Sequence, residues 1–164
     1  MPRIVQALVA GSLLAPAACE MPAPSNKAVE VERPEKAQIN TLRIDVARLV
    51  DADKAAVAAI LGEPASCHME SRGESCAYEA NAPPPEALEV FFIGGRAANL
   101  TLPSFGLPFE QASLRAYGIE AGQPSFISPA VTRWHVTINS TPIEVDMFPD
   151  GDGGIHYVYL MARR

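Results

Sequence analysis

The chain has 164 residues, a formal net charge of −6 and 15 prolines. That length suits one ordinary domain or two very small ones sharing a core. An acidic chain without a basic stripe cannot release phosphate counterions, so no nucleic-acid partner is expected.

Arg3 is followed by an apolar run from Ile4 to Leu14, then by Ala15, Ala17 and Ala18 ahead of Cys19. The run is too short to span a bilayer and reads as a signal peptide over residues 1–18. The end Leu14-Ala15-Pro16-Ala17-Ala18-Cys19 resembles a bacterial lipobox, whose cysteine becomes the lipidated first residue. Pro16 departs from the aliphatic residue usual in that motif. Two outcomes stay open: a lipid on Cys19 that tethers the chain to the outer membrane from the periplasmic side, or ordinary cleavage after Ala17 or Ala18 and a secreted soluble form. Counting cysteines favours the first, because an exported chain with three of them leaves one over once Cys67 pairs with Cys76. Residues 19–40 carry Pro22, Pro24 and Pro34 among Ala, Ser, Lys and Glu, with no apolar periodicity. Such a segment cannot offset its ordering entropy by burial, so a disordered tether is expected.

A first unit spans residues 41–103. Val46, Leu49, Val50, Val57, Ile60 and Leu61 follow a helical period, with Asp51 and Asp53 as N-cap candidates that divide it into two short helices near Ala52. Ala55, Ala56, Ala58 and Ala59 favour helix and suit close packing on a sheet. Gly62 and Pro64 end the segment. Ser66 to Glu70 and Glu74 to Ala80 read as strands around Ser71-Arg72-Gly73, a hairpin that sets Cys67 opposite Cys76. A disulfide is expected there. The competing metal site, Cys67-His68 with Cys76, offers three ligands and no CxxC pair. Beyond Pro83-Pro84-Pro85, Leu88 to Ile93 is β-rich, Gly94-Gly95 is a hairpin turn, and Ala97 to Leu102 returns.

A second unit spans residues 104–164. Leu107-Pro108-Phe109-Glu110 opens a helical segment ending at Gly118, followed by strands at Val131 to Ile138, Ile143 to Phe148 and Ile155 to Met161. The order repeats that of the first unit: Gly62 answers Gly118, Tyr78 answers Trp134, and Leu88-Glu89-Val90 answers Ile143-Glu144-Val145. The expected fold class is α+β, two helix-plus-antiparallel-sheet units in tandem.

Leu61-Gly62-Glu63-Pro64, Tyr78, Leu88 to Phe92 and Gly94-Gly95 together resemble the SmpA/BamE-like outer-membrane lipoprotein domain over about Asp45 to Leu102. Two such units resemble the architecture of the β-lactamase inhibitor proteins. The first resemblance implies scaffolding at the outer membrane, and the second implies inhibition of an enzyme. Neither carries a catalytic residue onto this chain. Val50-Asp51 replaces the glycine usual before the helix, and the second unit lacks Leu-Gly-x-Pro.

No reaction is written in the remaining residues. His68, His135 and His156 alternate with apolar neighbours and read as solvent-facing. Asp150-Gly-Asp152-Gly-Gly lacks the distal glutamate of a calcium loop and reads as a hairpin turn. Glu89 and Glu144 could line one sheet face. Trp134, Tyr157 and Tyr159 serve either the core or a protein-binding face, a choice that composition leaves open. The expectation is a non-enzymatic binding or envelope-assembly module without metal or cofactor, its partner an unknown envelope protein; a periplasmic protein inhibitor is the alternative.

Overall fold

The computed structural model describes residues 41–79 and 87–163. The signal segment, Cys19 and the tether lie outside the described residues. Among the described residues there are eight strands: β1 (Ser66–Glu70), β2 (Gly73–Tyr78), β3 (Leu88–Ile93), β4 (Arg96–Pro103), β5 (Phe126–Ile127), β6 (Thr132–Ile138), β7 (Thr141–Pro149) and β8 (Ile155–Ala162). They form one antiparallel sheet in the order β1-β2-β3-β4-β8-β7-β6-β5.

This architecture corrects the expected division into two helix-plus-sheet units. The final strands of the two halves pair with each other, Asn99 with Met161 through Pro103 with Tyr157. Left apart, β4 and β8 would each expose a row of unpaired backbone groups; joining them removes both edges and merges two small cores into one. Helix is scarce. The single α-helix among the described residues is α1 (Lys54–Leu61), and two 3-10 segments occupy Val46–Arg48 and Gln111–Tyr117. Asp53 caps α1 by accepting the Ala56 N–H at 2.8 Å. Asp51, the other cap candidate, instead takes a left-handed turn at φ 60°. It lets the backbone swing onto β4, where Asp51 N–H donates to Ala97 O and Ala97 N–H donates to Ala52 O. The alanines of α1 do not pack on the sheet as expected; only Val57 of this helix is fully buried.

The core lies on one face of the sheet. Cys76, Val90, Leu100, Leu160, Val145 and Trp134 form a row across it, and Ile44, Val46, Leu49, Leu107, Leu114 and Tyr117 cover it from the connecting segments. Further hydrogen bonds tie those segments down. Tyr117 O–H donates to Pro103 O at 2.7 Å, and Arg43 N–H donates to Ala116 O at 2.7 Å.

Turn chemistry sets the register. Gly94 and Gly95 both have positive φ, as a two-residue β3–β4 hairpin requires. Asn139 and Ser140 do the same between β6 and β7 without glycine. Gly73 is needed for space: a Cβ there would meet the Phe92 carbonyl oxygen at 2.0 Å. The Cys67–Cys76 disulfide forms, joining β1 to β2. Closing its short loop stabilises the folded chain by about 2.7 kcal/mol in the chain-entropy account.

Candidate binding face

Strand alternation puts a second set of side chains on the face that the described connecting segments leave open. One row runs Arg133, Asp146, Tyr159, Thr101, Glu89; the next runs His135, Glu144, Met161, Asn99, Phe91, Ser75, His68. Glu89 and Glu144 do share this face. Between the turn after β1 and the middle of the sheet lies an open groove of ≈ 330 Å³, lined among others by Arg72, Ser75, Phe91, Asn99, Thr101 and Tyr159.

The charged end of this face is tightly ordered. Arg133 donates from Nε to Asp146 Oδ1 and from Nη2 to Oδ2, each at 2.6 Å, the planar fork-to-fork geometry that fixes a guanidinium. Its Nε also lies 3.3 Å from Glu144 Oε1. Arg163 Nη2 donates to Glu144 Oε2, and His135 Nε2 stands 3.4 Å from the same oxygen. The two carboxylate residues are the floor, 5% and 6% exposed, while the Arg133 side chain is 36% exposed above them.

Electrostatics follow from that layering. Burial pushes the Glu144 carboxyl up, but the Arg163 hydrogen bond, the charges of Arg133 and Arg163 and the His135 hydrogen bond together outweigh it and hold Glu144 below the usual carboxylate range. The hydrogen bond to Asp146 raises the Arg133 guanidinium further, so it stays charged at any working pH. Burial, and then the Asp146 charge, push the Tyr159 phenol up, so it remains a neutral O–H. At the far end of β8, Phe148 and Tyr157 stack with ring centroids 4.4 Å apart.

The residues suggested as a protein-binding face do not stay together. Tyr157 and Tyr159 belong to the open face. Trp134 does not: it is 1% exposed and faces the core opposite Val145, because one step along β6 separates it from Arg133 and His135. Its indole N–H is buried without an acceptor among the described residues.

Other candidates resolve locally. The sulfurs of Cys67 and Cys76 are spent on each other, and alternation puts His68 on the other side of β1, 3.3 Å from Glu70. Glu74 lies beside the two sulfurs, but its carboxylate accepts from Lys54 Nζ at 2.8 Å. Asp150 Oδ1 accepts the N–H groups of Asp152 and Gly154 at 2.7 and 2.9 Å. Those backbone hydrogen bonds hold its carboxyl below the usual range, and the loop is a self-capped turn. His68 and His135 end opposite sides of one row, about 29 Å apart at the usual strand spacing, each with its own carboxylate.

Arg133, Asp146 and Arg163 escaped the sequence reading. A readable signal existed for the first two: a two-residue turn at Asn139-Ser140 places Arg133 opposite Asp146 and His135 opposite Glu144.

No family model matches the sequence, and no curated protein matches it significantly. Two solved structures show a distant likeness. One is an extracellular protein containing a SCP domain from Bacillus anthracis, 11% identical, with TM-score 0.43 over 80% of this chain and 49% of that one. The chain thus spans about half of that protein's length. The other is a DUF4309 family protein from Bacillus subtilis, 13% identical, with TM-score 0.40 over 79% of this chain and 86% of that one. Neither likeness transfers a function.

Proposed function

We propose that the chain is an exported, non-enzymatic module that binds a protein partner on the open face of its sheet, with Arg133, Tyr157 and Tyr159 as anchors. The observation that carries this reading is the Arg133 fork. A guanidinium held by both oxygens of a buried carboxylate, with Tyr159 beyond it in the same row, loses little rotamer freedom when a partner arrives. Arg and Tyr are the residue types that concentrate binding energy in protein interfaces. The Cys67–Cys76 disulfide fits an oxidising compartment. The lipobox-like end at Cys19 supports a tether at the outer membrane, and among the described residues no helix is long and apolar enough to cross a membrane.

The test is capture of partners from envelope extract by the mature chain, comparing wild type with a Tyr157→Ala, Tyr159→Ala double variant. A partner recovered by wild type and depleted at least tenfold by the double variant is expected. Equal recovery by both rejects the open face. Mass spectrometry of the same preparation reads the anchor: an unmodified start at Ala18 or Cys19 rejects the lipid.

A further inference from the structure

The two edges of the sheet are unequal. β5 is two residues long and sits between Pro124 and Pro129, too short and too interrupted to template another strand. β1 is five residues long, contains neither Pro nor Lys, pairs with β2 without a bulge, and is exposed at every position. It therefore presents the row of free backbone groups that edge strands normally disguise. Among the described residues, a strand that buries no whole residue is held by its hairpin ladder and the disulfide, and the disulfide keeps it ordered in advance of any contact.

We propose that β1 pairs with β1 of a second copy of this chain, antiparallel, about a two-fold axis at His68. The backbone spacing at the disulfide defines that register. Cys67 and Cys76 have their Cα atoms 4.1 Å apart, the spacing of a narrow, non-hydrogen-bonded pair. The N–H and C=O of Cys67 therefore point away from β2, and so do those of Met69, two residues on. A two-fold axis at His68 sets Cys67 opposite Met69 of the second copy, and the reverse, so these outward groups form four backbone hydrogen bonds.

Side chains agree with the backbone. Met69 is 77% exposed on the disulfide side of the strand, where pairing lays it against Cys67 of the second copy. On the other side Glu70 stands 3.3 Å from His68. In the paired register each Glu70 is also diagonal to His68 of the second copy, within reach of its imidazole. Each imidazole thus meets two carboxylates, its own and its neighbour's. The strand is its own complement, which favours a second copy over an unrelated extended segment.

A five-residue pairing buries less than the roughly 1,000 Å² of a stable complex, so the dimer is weak. Sedimentation equilibrium on the mature, oxidised chain from about 10 μM to about 1 mM tests it, a span matching weak association. The dimer fraction should rise over that range. Met69→Pro removes an N–H that β2 does not use, and Met69→Lys puts a charge against the disulfide; each should weaken association at least tenfold. Ile127→Pro, on the opposite edge, should leave it unchanged. Circular dichroism checks that the variants fold, and if the proline variant does not, the lysine variant decides. A monomer across the whole range, a dimer that survives the folded Met69 variants, one lost with Ile127→Pro, or open-ended oligomers each overturn the proposal.

Discussion

On β6, Arg133 and Trp134 are neighbours in the chain and belong to opposite faces of the sheet. The covered face at Trp134 is apolar, sealed by two connecting segments, and held by contact area. The open face at Arg133 is polar, and its order comes from carboxylates buried under their own cations. The two faces should therefore respond to substitution in different currencies: stability on one, recognition on the other.

The largest expected effect is on the covered face. Trp134→Ala leaves a hole in the central row and should destabilise the fold by about 3–5 kcal/mol, measured by urea unfolding. Tyr159→Ala, on the open face of the same sheet, should cost about 1 kcal/mol or less while weakening partner capture. Equal losses of stability from the two would erase the distinction between the faces.

A smaller effect probes how the open face is ordered. Glu144 has its folded-state pKa below the ordinary 4.5, so its contribution is fully present above that value and is lost as pH falls through the depressed one. Wild-type stability should therefore drop between about pH 5 and pH 3 by more than that of Glu144→Gln, in which this carboxylate no longer titrates. Parallel pH profiles for the two proteins would show that Arg163 and Arg133 do not stabilise the ionised group.

Several elements were legible because the information is local. Leu88 to Ile93 is a strand by composition, Gly94-Gly95 can turn because both residues tolerate positive φ, and Asp53 with Gly62-Glu63-Pro64 brackets α1. The disulfide was legible for the same reason: a short turn at Ser71-Arg72 puts Cys67 opposite Cys76. The Arg133–Asp146 pair obeys identical arithmetic about Asn139-Ser140, yet those residues lack the glycine that usually marks such a turn, so the register stayed hidden.

What the chain by itself determined is which segments become strands, where they turn, and which cysteines meet, since each depends on residues within a few positions of one another. Tertiary structure decided the rest. Nothing local says that β4 will pair with β8, because that choice comes from covering two long-range edges and pooling two small cores. The same pairing decided which side of β6 faces inward. It sent Trp134 into the core and left Arg133, Tyr159 and Tyr157 on the face where a partner is proposed to bind.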